Sequence, residues 1–308
     1  MFINYYLSIS IVSLIIFTIF RYCGADIIAV PLQPKNMNRY LVSLLGLFWL
    51  TSVSVHAQDT SIMMTYYGTA NDAARAKTME PLNAKVSQAF PQSVIAEAYT
   101  SDMVVRALRK RGIEKYTVGE AFANLRQAKS PVLVVNVQLL DGIMTDKLQA
   151  DISSTGVSAD SLRYTSPLLY NSDDARWLAR MLAKHIKADS DEEVVLVGHG
   201  TNDSANAMYA LIDYVMQHEV DERYHVGTIE NYPDMDMIKK ILHAKQARKV
   251  VLYPLLLIAG NHALEDIQGD WKDKLEKAGY SVRVIREGLL EIPEVQQRII
   301  DKISNKVY

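Results

Sequence analysis

The chain has 308 residues, 49% of them apolar, enough to bury one large core or two modest ones. Its formal charge of -2 and the lack of any long basic run exclude an electrostatic footprint for nucleic acid, so no nucleic-acid partner is expected. The same composition excludes a disordered or fibrous chain.

The amino terminus carries two apolar runs. The first, "YYLSISIVSLIIFTIF" over 5–20, is short for a membrane span, which needs roughly 20 residues. The second follows the internal Met37: Arg39 is its basic flank, 40–50 its apolar region, and Val55-His56-Ala57 a small-residue cleavage site. The expectation is an upstream extension over 1–36, a signal peptide over 37–57, a mature chain from Gln58, and a periplasmic location. An uncleaved amino terminus is the alternative, and it would supply the only contact with a membrane. The one cysteine, Cys23, falls in the extension behind Arg21 and Tyr22, which do not suit a lipoprotein signal. The mature chain therefore has no thiol for disulfides, cysteine catalysis or thiolate metal sites.

From Asp59 onward β-rich runs alternate with amphipathic stretches. Strands are predicted over 61–67, 93–99, 131–137, 193–199, 224–230, 249–257 and 280–286. Helical spacing occupies 70–90, 101–112, 118–128, 171–187, 203–218, 234–245 and 262–279, several stretches with Asp, Asn or Ser at the N-cap. Alternation of this kind means parallel sheets with helices on both faces, and continuous apolar strands such as "VLVV" and "VVLY" fit burial on both sides.

The pattern repeats itself. "YYGTANDAARAKT" from Tyr66 matches "GHGTNDSANAMY" from Gly198, each an x-Gly-Thr turn followed by a capped helix. "AEAYTSDM" matches "IENYPDMDM", pairing Glu97 with Glu230 and Tyr99 with Tyr232, and 132–144 aligns without a gap to 250–262. Three matches in one order imply an internal duplication of one α/β unit, giving two similar domains of Rossmann-like alternation over 58–170 and 171–308.

Chemistry gathers in the second domain. His199 and Glu230 end its first two strands, and His262 follows the third. The carboxyl ends of parallel strands face the ligand crevice, so the three can converge there. Two imidazoles and a carboxylate suit a divalent metal such as cobalt, iron, nickel or zinc, and three protein ligands leave positions open for reaction. His185, His218 and His243 lie in charged helical contexts and are expected to be solvated; His225 opens a strand with no partner evident. The turn at His199 is neither a P-loop, lacking Gly-x-x-x-x-Gly-Lys, nor a nucleophile elbow, lacking a central Ser. Its Gly200-Thr201 backbone could still receive an anionic group at a helix start.

These residues resemble the anaerobic cobalt chelatases of the CbiK type, which insert cobalt into sirohydrochlorin without ATP. The resemblance is carried by "GHGTNDSANAMY", "VGTIENYPDMD", "LYPLLLIAGNHALEDI" and "EGLLEIPEVQQRII", with "YYGTANDAARAKT", "AYTSDMVVRAL", "TVGEAFANL" and "SPLLYNSDDARWLARML" in the first domain. It implies His199, Glu230 and His262 as the metal ligands and catalytic groups, with Co2+ as metal and Fe2+ or Ni2+ as alternatives. It further implies a tetrapyrrole above them in a cleft between the two domains, touched by Tyr67, Gly68, Thr69, Met144, Gly200, Thr201, Leu256 and Leu257. The family's Leu-His-x-x-x-Gly-Glu-Glu-like segment reads "VQLLDGIM" here, so Gln138, Ile143 and Met144 replace a histidine and two acids. The first domain's side of the cleft is therefore expected to be apolar and aromatic. Export suggests a second reading, a haem- or tetrapyrrole-binding protein in metal acquisition, with or without self-association into a homo-oligomer.

Overall fold

The computed structural model describes residues 60–126, 130–260 and 265–307. The expected extension, signal peptide and cleavage site lie outside these residues, as does His262. No helix among the described residues is long and apolar enough to cross a membrane.

Eight strands form two four-stranded parallel sheets. The first contains β1 (Ser61–Tyr66), β2 (Ile95–Tyr99), β3 (Val132–Asn136) and β4 (Leu162–Tyr164), ordered β2-β1-β3-β4. The second contains β5 (Glu192–Gly198), β6 (Tyr224–Thr228), β7 (Lys249–Pro254) and β8 (Ser281–Val284), ordered β6-β5-β7-β8. Identical orders in the two halves are the duplication expected from sequence. All seven expected strands are present; β4 is the addition, a half-exposed three-residue edge strand too short to leave a periodic signal.

The first half carries α1 (Asp72–Lys77), α2 (Met79–Ala89), α3 (Asp102–Arg109), α4 (Val118–Leu125) and α5 (Ile143–Ser153). After β4 the chain enters α6 (Ser172–His185) and the second half, which carries α7 (Ala207–Val215), α8 (Met235–Ala244), α9 (Lys272–Lys277) and α10 (Pro293–Val307). Local caps explain several of the starts: Asn71 accepts from the Ala74 N–H, Ser101 from Val104, Asp234 from Met237, and Thr117 with Glu120 forms a capping box. Arg109 donates to Glu120 at 2.6 Å, which with the cap draws that carboxyl down to about 2.

Side chains alternate across each sheet, and the two faces have different neighbours. Met63, Val132 and Val134 pack outward on α4 and α5 with Phe122 and Leu148. Val195, Val197, Val250 and Leu252 do the same against α8 and Trp271. The inner faces, including Ile62, Leu133, Leu196 and Tyr253, share one core with α6, α7 and α10.

The helix that follows each sheet packs on elements of the other one. α6 follows β4 but docks on α7, with Arg176 donating to Glu219 at 3.0 Å and Arg180 at 3.4 Å. α10 follows β8 but packs on β3 and α2. There Lys302 donates to Ser166, to the Pro167 carbonyl and to Asp174, and Arg298 donates to the other oxygen of Asp174.

Register corrects one internal pairing. Tyr66 pairs with Tyr99 and Gly198 with Thr228, so Tyr99 corresponds to Thr228 rather than to Tyr232. The Ser101 N–H donates to the Tyr67 carbonyl at 3.2 Å as the Glu230 N–H donates to His199 at 2.9 Å, making Ser101 the counterpart of Glu230. Glu97 instead sits within β2, bonded to Lys115 and Asn83. The pairing of Tyr67 with His199 stands, and Asn136 matches Pro254 as the gap-free alignment requires.

Candidate metal centre

His199 is the first residue beyond β5, and Glu230 the second beyond β6. Because these strands are adjacent and parallel, the two side chains emerge together at one strand-end rim. His199 Nδ1 stands 3.6 Å from Glu230 Oε2, with both side chains more than half exposed. That separation is long for a hydrogen bond but close to the about 3.4 Å between donor atoms that share a tetrahedral divalent metal at bond lengths of about 2.0–2.1 Å. The Gly200 carbonyl, 3.2 Å from Nδ1, receives the proton when that nitrogen carries one; a metal at Nδ1 takes the proton's place.

The backbone beneath is stitched from both turns. The Ile229 and Glu230 N–H groups donate to the Gly198 and His199 carbonyls, both at 2.9 Å. Asn231 donates to the Thr201 carbonyl at 2.9 Å and to Asn202 at 2.8 Å, and Asn206 donates to the Tyr232 carbonyl at 2.7 Å. Two glycines permit this closeness. Gly200 has φ +88, and a Cβ there would meet the Asn231 backbone at 3.0 Å; a Cβ on Gly198 would lie 2.2 Å from the Tyr209 ring. Burial pushes the Tyr209 hydroxyl above its ordinary range, so it stays protonated beneath the turn. Asn206, Tyr209 and Asn231 are supporting residues that sequence reasoning missed; the run after "GHGT" holds the first two, and Asn231 follows Glu230.

The remaining expected residues are partly assembled. The Gly200 N–H already points to Tyr209 at 3.4 Å and the Thr201 N–H to Asn206 at 3.1 Å, so this turn does not offer those donors to an anion. Leu256 and Leu257 are half-buried, Leu256 against the Trp271 cluster and Leu257 against the shared core. Their backbones are held by N–H donors from Leu289 and Leu290, which limits the face each can show a ligand. Tyr67 is exposed at the end of β1, followed by Gly68 with φ +96 and Thr69. A Cβ on Gly260 would stand 4.0 Å from Thr69 Oγ1, bringing the loop that leads to position 262 against the first half's turn. Ile143 is exposed and Met144 half-buried at the start of α5. Gln138 is buried, its amide nitrogen without a partner.

Among the described residues no three His, Cys, Asp or Glu side chains are grouped so as to hold a metal ion. A nearby depression lined by Thr228, Asp234, Asp236, Asp266, Asp270 and Trp271 does not include His199 or Glu230. Two other histidines differ from expectation. His185 bonds Glu287 at 2.6 Å and lies edge-on to Tyr253, and His225 is fully buried against Glu193 at 2.7 Å. Both serve as internal struts; His243 is exposed, and His218 lies against the Tyr214 ring at 4.3 Å.

Comparison with known proteins decides the family. The description "Cobalt chelatase (CbiK)" matches residues 60–307, the whole span of both sheets and α10. The chain belongs to this cobalt chelatase family. Within the family's span it is 27% identical over 249 residues to the sirohydrochlorin cobaltochelatase of Salmonella typhimurium, covering 78% of this chain and 93% of the relative. It is 28% identical over 254 residues to the sirohydrochlorin cobaltochelatase CbiKC of Nitratidesulfovibrio vulgaris, covering 75% and 84%. Two solved structures share the chelatase fold: SirB from Bacillus subtilis with Fe3+ (TM-score 0.60, 14% identity, 81% of this chain and 96% of that one) and the sirohydrochlorin chelatase SirB of Bacillus subtilis subspecies spizizenii in complex with cobalt (0.58, 14%, 81% and 95%).

Proposed function

We propose that this chain is a sirohydrochlorin cobaltochelatase, inserting Co2+ into the macrocycle without ATP, with His199, Glu230 and His262 as its metal-holding groups. The observation that carries this reading is the adjacent pair of exposed donors, His199 Nδ1 and Glu230 Oε2, 3.6 Å apart on turns tied by backbone hydrogen bonds. Two donors held at metal-sharing distance need little reorganisation when the ion arrives. Fe2+ and Ni2+ fit the same donors.

The metal is a substrate here, and it must pass from side chains to ring nitrogens. Insertion forms bonds from the metal to the pyrrole nitrogens, breaks the bonds from the metal to the protein, and releases two N–H protons. A histidine ring nitrogen freed of metal takes up one departing proton, and the other leaves to solvent. The macrocycle lies in a cleft between the two strand-end rims. Tyr67, Gly68, Thr69, Ile143 and Met144 supply its apolar floor on the first half, where the acids and histidine of the family motif are missing. Leu256 and Leu257 contribute what their half-buried positions leave free.

We further propose that the chain acts after export. The basic Arg39, the apolar run over 40–50 and the Val55-His56-Ala57 site support this. Export also favours a second reading, an exported tetrapyrrole-binding protein that holds haem through His199 or His262 without turnover.

Incubating the chain from Gln58 with sirohydrochlorin and Co2+, followed by absorption, tests both. Insertion that is lost in His199→Ala, Glu230→Ala and His262→Ala supports the chelatase. Tight haem binding with no insertion supports the second reading and refutes the first. Mass spectrometry of the amino terminus tests the start at Met37 and the cleavage after Ala57, since an intact Met1 on the mature protein rules both out.

A further inference from the structure

We propose that Asp203 is a positioning residue that latches the two halves at the mouth of the site, fixing the His199 turn against the apolar first turn of α5. Its kinetic arm rests on the chelatase reading; its structural arm does not. α5 begins after Gly142, which has no side chain to cap it, and no residue of its own half supplies a side-chain cap. The cap comes from the second half: the Ile143 N–H donates to Asp203 Oδ2 at 2.8 Å. The other oxygen, Oδ1, accepts from the Ala205 N–H at 2.8 Å and caps the turn that leads into α7. One carboxylate thus closes a helix start in each half, and its charge complements the positive end of α5.

Gly142 is shaped to this contact. A Cβ there would lie 2.6 Å from Asp203 Oδ2 and 3.1 Å from the Ala205 Cβ, although the backbone at φ -139 would accept any residue. Asp203 stands four residues after His199, and Ile143 and Met144 are the first two residues of α5. The latch therefore ties the metal-bearing turn to the first-half surface on which the macrocycle would rest. It is the hydrogen-bonded link between the loops following β5 and β3.

Three full-length variants test it: Asp203→Ala, Asp203→Asn and Gly142→Ala. The asparagine keeps the size but can present only one accepting oxygen, and the alanine at 142 pushes the carboxylate off Ile143 while leaving it in place. Amide exchange at Ile143 is expected to quicken in all three. With sirohydrochlorin and Co2+, KM for the macrocycle is expected to rise about five-fold, the effect of losing one helix cap, while kcat and the Co2+ affinity stay within about two-fold. Unchanged exchange at Ile143 overturns the latch, as does a fall in Co2+ affinity that parallels the rise in KM. If the unmodified chain inserts no metal, the kinetic arm falls with the chelatase reading and amide exchange alone decides.

Discussion

Replacing Asp174 by alanine should loosen α10 from α6. The Asp174 side chain is 3% exposed, and its oxygens accept from Arg298 at 2.9 Å, Lys302 at 3.1 Å and the Tyr170 N–H at 3.1 Å. Breaking a buried ion pair by removing one partner costs about 3–5 kcal/mol, because the other charge is left without compensation. Arg298 is one-third exposed and can turn to water, and Lys302 keeps Ser166 and the Pro167 carbonyl. The loss should therefore fall near the lower end, about 3 kcal/mol. For a body of this size that is a fall of about 6–12 °C in melting temperature. Burial already pulls the Lys302 ammonium down and Asp174 opposes that pull, so without Asp174 its pKa should drop further. Thermal unfolding followed by circular dichroism measures the effect. The double variant Asp174→Ala/Lys302→Met should recover part of it, since no unpaired ammonium remains. A melting temperature within about 2 °C of the parent, or a double variant no better than the single, would refute the reasoning.

Three further outcomes follow from the site and its support. Glu230→Gln should weaken Co2+ binding by at least about ten-fold, the smaller loss typical of removing even an outer partner of a metal site; competitive titration with a chromophoric chelator reads it, and unchanged affinity removes Glu230 from the ligand set. Gly198→Ala places a methyl group 2.2 Å from the Tyr209 ring, so urea unfolding should show a loss of about 1–3 kcal/mol; an unchanged midpoint would mean the ring moves freely. Burial raises the Asp213 carboxyl above its ordinary 3.8, so its native state holds the proton more tightly than the unfolded chain. Its contribution is fully present below that value and drains away as pH rises through the raised one. Asp213→Asn should therefore gain on the parent in urea midpoints as pH rises from 3.8 upward, and a steady loss over that rise would contradict it.

The sheets were legible because alternating β-rich runs and capped amphipathic stretches left little choice of fold. The donor pair was legible for a similar reason: strand ends in a parallel sheet face one way, so His199 and Glu230 had to meet. What escaped notice was held by contacts distant in sequence. α5 has no local start signal because its cap is Asp203, sixty residues on. α10 lies outside the stretches predicted from spacing, although Pro293 at its start and Val295, Ile299, Ile300 and Ile303 on one face are a full local signal. Matching letters rather than hydrogen-bond register paired Glu97 with Glu230, whereas the carbonyl of Tyr67 identifies Ser101 as the counterpart. His225 and Glu193 are thirty-two residues apart, and only the pairing of β5 with β6 brings them together.

The exchange of α6 and α10 sets an order on synthesis. The ribosome completes β4 at residue 164 but does not reach α10 until residue 293, so the first sheet emerges with α2 and α3 on its inner face but without the helix that packs on β3. α6, the helix that follows directly, is committed to the second half. An arrested nascent chain that stops before α10 should thus present an apolar sheet face to whatever surrounds it, and a chaperone or a holding interaction during translocation would find its target there.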